Sequence, residues 1–308
     1  MGIAILSGVL ASLESKASGG SAIPNHPKWE SHTPGTVTPQ TLDDESLPSR
    51  FIACVSREES AKKLSAAFFV SGTLGRSVEI VCRGNVNAVR ESNVVLLCCK
   101  PQLASTILSE PGMREALEGK LLISILAGVT ISQLEAMVGP STRVVRAMPN
   151  TPCKIREGMT VVSTLKPAAN GDASALELER SIILNVFSSI GRCRFLEEKH
   201  FDACTALSGS GPAFACIFLE AMADGGVMMG LPRAEALELA AQTLQGAARM
   251  TLQAGTHPAQ LKDAVTTPGG CTIAGLLAME DGRVRSTIAR AIQVATERAS
   301  ELGQPGKK

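Results

Sequence analysis

The chain has 308 residues, which is long enough for two domains with hydrophobic cores of their own. Its formal net charge of +1 gives no electrostatic reason to predict binding to nucleic acid or to an anionic membrane. Four dispersed histidines, and nine cysteines without a Cys-x-x-Cys pair, argue against a metal site or a disulfide framework and indicate reduced, buried thiols.

The N-terminal part combines a helix with a long polar segment. Residues 2–13 have the pattern of an amphipathic helix. Residues 15–49 are rich in Ser, Gly, Pro and Thr and have no periodicity, so they predict a flexible insert. The N-terminus has no basic segment ahead of its apolar residues and no arginine, which argues against a signal or transit peptide and favours a cytoplasmic protein.

Short apolar runs and helical patterns then alternate up to residue 167. The runs predict buried strands at 51–55, 78–82, 93–98, 120–126, 143–147 and 158–163. Helices are predicted between them at 61–70, after 85, from 102 and at 131–138. This alternation is typical of an α/β fold with a parallel, doubly wound sheet of the Rossmann type, covered on both faces.

The pattern becomes helical after residue 167. Helices are predicted at 173–190, 212–229, 234–254, 258–265 and 284–302, with one strand at 193–196. The most apolar stretch, 212–231, contains Glu220 and Asp224 and therefore predicts a buried helix, not a membrane span. The sequence thus predicts a dinucleotide-binding domain over residues 1–167 and an all-α domain over residues 168–302.

Polar residues follow two of the predicted strands, at the sheet edge where ligands of such folds bind. Ser56 and Arg57 follow the first strand, where an NAD enzyme carries an acidic residue for the ribose hydroxyl. A hydroxyl and a guanidinium there favour the 2′-phosphate of NADPH, while a solvated loop arginine is the alternative. Lys100 and Pro101 follow the strand at 93–98, where the lysine could contact a cofactor or orient a substrate.

Two proline-containing loops complete the candidate sites. Asn150 lies between two prolines in a loop that could present its side chain to a cleft. Pro268, Gly269 and Gly270 predict a tight turn, and a helical pattern begins at once with Thr272. Such a helix N-terminus has backbone N–H groups without partners and attracts a carboxylate or a phosphate, although a plain capped turn would have the same residues.

Several longer motifs occur in a fixed order along the chain. They are Cys98-Cys-Lys-Pro101, Arg146-Ala-Met-Pro-Asn-Thr-Pro152, Leu207-Ser-Gly-Ser-Gly-Pro-Ala213, Ala223-Asp-Gly-Gly-Val227 and Pro268-Gly-Gly-Cys-Thr272. In these motifs, and along nearly the whole chain outside residues 15–49, the sequence resembles the pyrroline-5-carboxylate reductases, which catalyse the last step of proline synthesis.

The resemblance implies a reaction and a substrate site. The enzyme would reduce 1-pyrroline-5-carboxylate to L-proline with NADPH, or with NADH as the alternative cofactor. The substrate carboxylate would bind the backbone amides around Thr267, Gly269 and Gly270, and the Thr272 hydroxyl would face the ring nitrogen as the catalytic group. A protonated imine arrives already activated, so the site needs positioning more than a strong general acid.

The resemblance also implies cofactor contacts and partners. The cofactor-binding residues would be Gly2, Ser56, Arg57, Asn85, Cys98, Cys99, Lys100, Pro101 and Asn150, with Asn85 on the adenosine side. The helical domain would form a homodimer or a higher homo-oligomer. Neither a metal, a nucleic acid nor a membrane is expected as a partner.

The chain departs from the family at its beginning. The family starts with a strand and a Gly-x-Gly-x-x-Gly turn, whereas Gly2 here matches the last of those glycines. Without the preceding strand, two strand edges would lose a neighbour, and without the turn the cofactor would lose its cradle. We expect the recorded start to be misassigned; a chain that is truly shortened would bind the cofactor weakly or not at all.

Two other classes of function stay open at this stage. A hydroxyacid dehydrogenase would also join a Rossmann domain to a helical domain, but Ala215 stands where that family has a lysine. A non-catalytic, shortened paralogue would keep only the helical dimerisation surface. Cofactor binding would separate that paralogue from either enzyme.

Overall fold

The computed structural model describes residues 1–17, 46–70, 72–167 and 172–302. These residues form two compact units. The first comprises the described residues up to Cys204 together with the end of the last helix from Ala299, and the second comprises Thr205–Arg298. Most of the predicted insert at 15–49 lies outside the described residues. Of its described residues, 15–17 are helical, and the hydroxyl of the buried Ser46 accepts a hydrogen bond from Asn185 Nδ2 at 2.8 Å.

The first unit alternates strands and helices, as predicted. Its strands are β1 Ile52–Val55, β2 Glu79–Cys82, β3 Val94–Leu97, β4 Leu121–Ser124, β5 Arg143–Met148, β6 Gly158–Ser163 and β7 Gly191–Leu196. Its helices are α1 Gly2–Ala17, α2 Glu58–Phe69, α3 Thr73–Arg76, α4 Asn85–Arg90, α5 Ala104–Leu108, α6 Met113–Ala116, α7 Ile131–Met137, α8 Ala173–Ser188 and α9 Phe201–Cys204. The predicted Rossmann-type α/β fold is confirmed.

The strands lie in two sheets. β1 pairs with β2 in parallel, and β3 to β7 form the second sheet in chain order. All neighbours in the second sheet are parallel except β5 and β6, which are antiparallel. The prediction of a parallel sheet is therefore wrong for this one pair. The connection after β5 contains only the 3₁₀ turn Thr151–Ile155, which is too short for the crossover that parallel strands require.

Strand β4 shows why helices cover both faces of the sheet. All four of its residues are buried. Leu121 and Ile123 pack in the core that includes α1 and α8, while Leu122 packs in the core under α5, α6 and α7. Successive side chains of a strand point to opposite faces, so a strand that is apolar throughout needs a cover on each side.

Helix α1 packs on both sheets. Its Ile5 and Val9 belong to the main core, while Leu10 packs in the smaller core around β1, β2 and α2. Gly8 permits this close approach, since a Cβ atom there would lie 2.3 Å from Ile190 Cγ2. The helix thus joins the two sheets into one unit.

Strands β1 and β3 are less buried than the sequence predicts. Leu97 is the one buried residue among the eight of these two strands. Each strand lies at the edge of its sheet, in agreement with the expectation that two strand edges lose a neighbour. Cys54 and Cys98 on or beside these edges are exposed, as are Cys216 and Cys271, so the prediction of buried thiols is wrong for these four.

The first unit extends beyond residue 167. Strand β7 pairs with β6 over six residue pairs, from Gly158 opposite Gly191 to Ser163 opposite Leu196. Phe187 of α8 is fully buried in the main core. These contacts hold the chain in the first unit as far as Cys204, past the predicted boundary.

The second unit is helical. It consists of the π-helical turn Thr205–Gly209 and the helices α10 Gly211–Met228, α11 Arg233–Ala254, α12 Pro258–Ala264, α13 Cys271–Asp281 and α14 Val284–Leu302, the last of which ends in the first unit. Its buried apolar residues among those described are four alanines. The expectation of a hydrophobic core within this domain is therefore wrong.

The long apolar helix of this unit is also uncovered within the chain. The prediction of a buried helix over 212–231 is wrong, because Ala223 is the one buried residue of α10 and Met228 is 87% exposed. The helical run Glu198–Met228 is long and apolar enough to cross a membrane, by length and composition only. A helix that packs against another protein has the same composition, so this run is weak evidence for a membrane span.

Candidate active site

The carboxyl ends of β1 and β2 bring two arginines close together. β1 is followed by Ser56 and Arg57, both exposed, and Arg57 precedes the first turn of α2. β2 is followed by Arg83, whose Nε donates a hydrogen bond to the Ser56 carbonyl at 3.3 Å. Ser56 and Arg57 are predicted site residues, whereas Arg83 is not among the residues predicted from the sequence. Arg83 directly follows β2, and this position indicates a place beside Ser56 only when β2 is known to pair with β1.

Asn85 begins α4 at the same edge. Its Nδ2 donates a hydrogen bond to Glu110 Oε1 at 2.8 Å. The amide nitrogen is therefore engaged by a carboxylate of the protein. A contact between Asn85 and a cofactor would use its second amide N–H, its side-chain oxygen or its backbone.

The first residue of α1 meets the end of β3. A Cβ atom on Gly2 would lie 3.1 Å from both Cβ and Sγ of Cys98, so only glycine leaves this approach unstrained. Cys98 is an exposed residue, but the surrounding protein desolvates its thiol, which is the main cause that raises its pKa to about 11. Desolvation also raises the pKa of Cys99. Both thiols are therefore protonated at neutral pH and offer contact surface, not a nucleophile. The backbone of Lys100 then leads into the 3₁₀ turn that begins with Pro101.

Asn150 has a structural contact within its own loop. Its Oδ1 accepts a hydrogen bond from the Met159 N–H at 2.9 Å, which ties the loop after β5 to β6. The side-chain carbonyl is thus engaged by the protein. Its predicted role in cofactor binding stays a prediction.

A buried ion pair holds the loop after β4. The Arg146 side chain is 7% exposed, and its Nη1 lies 3.2 Å from Glu198 Oε1. The same oxygen accepts the Ile131 N–H at 2.9 Å, at the first residue of α7. Phe201 covers the guanidinium, with its ring centroid 4.7 Å from the Arg146 Cζ. The end of the 125–130 loop is therefore fixed from β5, at the edge where ligands of this fold bind.

The predicted turn in the second unit has the expected geometry. The Gly270 N–H donates a hydrogen bond to the Thr267 carbonyl at 3.1 Å, with Pro268 and Gly269 between them. Gly269 has a φ angle of +69°, as the third residue of a type II turn requires. A Cβ atom on Gly270 would lie 2.4 Å from Thr267 Oγ1, so the turn also requires glycine at that position.

One detail of the predicted substrate site changes. The Gly270 N–H closes the turn, so it is not available to a substrate carboxylate. Helix α13 begins at Cys271 without a side-chain cap at Gly270, and the amides of its first turn have no partner within the helix. These amides, together with that of Gly269, are the anion-binding groups that the turn can offer. The Thr272 hydroxyl lies in the same first turn, on a half-buried residue.

The two sets of residues lie on different units. The predicted cofactor residues Gly2 to Asn150 belong to the first unit, and Thr267 to Thr272 belong to the second. Among the residues that the structure describes, no group of three or more His, Cys, Asp or Glu side chains could hold a metal ion.

Two family models match separate parts of the chain. Residues 198–302 match the model described as "Pyrroline-5-carboxylate reductase dimerisation". Residues 40–128 match the model described as "NADP oxidoreductase coenzyme F420-dependent". A protein of Lophium arboricola named pyrroline-5-carboxylate reductase is 48% identical over 315 aligned residues, which cover 99% of this chain and 91% of that protein.

The chain belongs to the pyrroline-5-carboxylate reductase family. The reductase of Schizosaccharomyces pombe is 49% identical over 264 aligned residues, covering 85% of this chain and 89% of its own length. Neither a hydroxyacid dehydrogenase nor a non-catalytic paralogue is favoured by these matches.

Solved structures of the family have the same fold. The pyrroline carboxylate reductase of Plasmodium falciparum, solved with NADP bound, superposes with a TM-score of 0.66 at 27% identity, over 83% of this chain and 99% of that one. The reductase of Streptococcus pyogenes gives a TM-score of 0.68 at 29% identity, over 82% of this chain and 90% of that one.

Proposed function

We propose that this protein is a reductase that converts 1-pyrroline-5-carboxylate to L-proline with NADPH. The observation that carries the proposal is the 48% identity to a pyrroline-5-carboxylate reductase along 99% of the chain. The polar strand ends of the first unit and the type II turn of the second supply the two kinds of site that such a reaction needs.

The residues of the first unit fit a dinucleotide phosphate. Ser56 and Arg57 supply a hydroxyl and a guanidinium at the end of β1, where the ribose of a dinucleotide lies in this fold. Gly2 opens α1 and packs closely against Cys98, so the N-terminus of α1 lies beside the end of β3, where its amides could bind a phosphate. We assign Asn85, Cys98, Cys99, Lys100, Pro101 and Asn150 to the same cofactor site.

The turn before α13 is proposed as the substrate site. The amides of Gly269 and of the first turn of α13 would bind the substrate carboxylate, at the positive end of the helix dipole. Thr267 and Gly270 hold the turn in shape, through the hydrogen bond between their backbones. The Thr272 hydroxyl would orient the ring nitrogen and contribute a hydrogen bond there.

The chemistry requires little acid catalysis from the protein. When bound, the nicotinamide supplies a hydride to the imine carbon, and the C=N bond becomes the C–N bond of proline. A substrate that arrives as the iminium already has its nitrogen proton, and a neutral imine takes one proton from solvent. The absence of a histidine or a carboxylate among the residues assigned to the turn agrees with this role.

The second unit is proposed as the surface for a second copy of the chain. The family model for dimerisation matches residues 198–302, which include the whole of this unit. Ile217 and Met228 of α10 and Leu277 of α13 are each at least 60% exposed. A homodimer, or a higher homo-oligomer, would bury this surface and supply the core that the unit lacks.

We further propose that the protein works in the cytoplasm, with neither a nucleic acid nor a membrane as a partner. The net charge of +1 and the charges within the apolar helix support this. Fractionation of cells that express the chain at its natural level would test it. The protein should appear in the soluble fraction, and recovery from washed membranes would contradict the assignment.

A first experiment tests the reaction itself. Purified protein should oxidise NADPH only when 1-pyrroline-5-carboxylate is added, and L-proline should accumulate in equal amount. NADH serves as the comparison cofactor. Oxidation of NADPH that does not depend on the imine, or that yields no proline, would contradict the proposed function.

A further inference from the structure

We infer that Arg83 is a specificity-determining residue, which binds the 2′-phosphate of NADPH together with Ser56 and Arg57. The inference rests on the proposed function for the identity of the cofactor. The geometric argument uses only the residues at the ends of β1 and β2. The test measures ligand binding and does not require turnover.

The position of Arg83 follows from the pairing of β1 with β2. The two strands are parallel and end together, with Val55 opposite Cys82. The Arg83 N–H continues this ladder by one residue, donating to the Val55 carbonyl at 3.0 Å. The residues after the two strands are therefore held side by side, and the Arg83 Nε bond to the Ser56 carbonyl places its guanidinium next to Ser56.

The guanidinium keeps most of its donors for a ligand. A guanidinium has five N–H groups, and the Ser56 carbonyl takes one of them. No other hydrogen bond or ion pair joins Arg83 to a side chain in the described part of the chain. The Ser56 hydroxyl and the exposed Arg57 lie at the same strand ends. Phosphate oxygens are bound best by such forked, charged donors.

The backbone of Arg83 supports a functional reading of this position. Its φ angle is +58°, in the left-handed region that residues other than Gly, Asn and Asp seldom adopt. Residues held in such conformations cluster at ligand sites, since the surrounding structure must stabilise them. Here the ladder bond to Val55 holds the conformation and directs the side chain toward Ser56.

Two carboxylates lie in the neighbourhood and must be counted. Glu58 contacts the Cys82 thiol, whose pKa is raised by burial first and then by hydrogen bonding to Glu58. A carboxylate here would favour a ribose hydroxyl over a phosphate. Glu110 is the second, because its Oε1 accepts from Asn85 Nδ2 at 2.8 Å. The preference for the 2′-phosphate therefore rests on the forked donors of the two guanidinium groups, not on a net local charge.

The test is calorimetric titration of the full chain with adenosine 2′,5′-bisphosphate and, in parallel, with adenosine 5′-monophosphate. The two ligands differ by the 2′-phosphate alone. The variant is Arg83→Asn, because asparagine tolerates a positive φ angle. The matched control is Arg76→Ala, since the Arg76 Nε also donates to a backbone carbonyl at 3.3 Å on an exposed side chain of the same unit.

We expect Arg83→Asn to weaken binding of the bisphosphate about tenfold and binding of the monophosphate less than twofold. Arg57→Ala should act in the same direction, and Arg76→Ala should change neither affinity. Equal losses for both ligands, or no loss for the bisphosphate, would overturn the role of Arg83. Selective binding of the bisphosphate by a protein that does not reduce the imine would support Arg83 and refute the proposed reaction.

Discussion

At the scale of single residues, some atoms of the turn before α13 hold its structure, whereas others are available to a ligand. Thr267 and Gly270 close the turn with their backbones, whereas the Thr272 hydroxyl lies in the first turn of the helix. Among the described residues, the Thr272 hydroxyl forms no hydrogen bond that its removal would break. Its contribution should therefore appear in turnover.

Replacing Thr272 by Ala should lower kcat roughly 10- to 100-fold, which is the effect of removing one hydrogen bond to a charged group. Thr272→Ser keeps the hydroxyl and should retain most of the activity. Both variants should unfold within a few degrees of the wild-type protein. Steady-state kinetics and thermal melts check this, and unchanged kinetics in the Ala variant would remove the assigned role.

Gly270 offers a second test at the same turn. In Gly270→Ala the new Cβ would lie 2.4 Å from Thr267 Oγ1, so the Thr267 side chain or the turn must move. We expect KM for the imine to rise about tenfold, because the binding amides shift with the turn. Gly246→Ala is the control, since a Cβ there meets no atom within 4 Å. Equal KM values for the two variants would show that the turn does not bind substrate.

At the scale of elements, β5 has two arginines with different tasks. Arg143 begins the strand and forms a two-bond ion pair with Glu179, with both distances at 3.0 Å. Arg146 lies nearer the carboxyl end and pairs with Glu198, which also accepts the Ile131 N–H. The first pair ties β5 to α8, while the second fixes the loop at the ligand edge.

Glu198→Ala and Glu179→Ala form a matched pair of variants. Each removes the partner of a shielded arginine and should lower the free energy of unfolding, by about 3 kcal/mol for the more buried Arg146. Only Glu198→Ala should also raise KM for NADPH, about fivefold or more, because it frees the 125–130 loop. Chemical denaturation and steady-state kinetics separate the two effects. A similar KM in both variants would mean that Glu198 has a purely structural role.

The elements themselves were largely predictable, because local patterns determine them. The strands and the long helices of both units lie within a few residues of their predicted positions. The antiparallel direction of β6 was not predictable from its apolar pattern, which is the same for either direction. Arg83 was missed for a related reason, since its proximity to Ser56 depends on which strands are neighbours.

At the scale of the whole molecule, the second unit has helices but almost no core. The apolar composition of α10 predicts a buried helix. It cannot indicate whether residues of the same chain or of another chain cover that helix. The functional turn was predictable, because Pro268 and Gly269 determine their own backbone angles. The hydrogen bond from the Gly270 amide to the Thr267 carbonyl was not predictable, because it depends on how the turn closes.

A substitution on α10 tests whether a second copy covers the helical unit. Ile217 is 66% exposed, so Ile217→Glu should cost the isolated chain little stability. In an oligomer the same charge would be buried, and the variant should therefore dissociate toward monomers. Val70→Glu, on a more exposed position of the first unit (81%), is the control. Light scattering after size-exclusion chromatography measures both, and an unchanged mass for Ile217→Glu would contradict an interface on this face.

The most direct test of the central claim is isotope transfer. NADPH with deuterium on the transferred position of its nicotinamide is incubated with the protein and 1-pyrroline-5-carboxylate, and the product is analysed by mass spectrometry and NMR. The account predicts L-proline with one deuterium at the former imine carbon, at one equivalent per NADPH consumed. Folded protein that yields no labelled proline, or proline without the label at that carbon, would contradict the assignment of this chain as a pyrroline-5-carboxylate reductase.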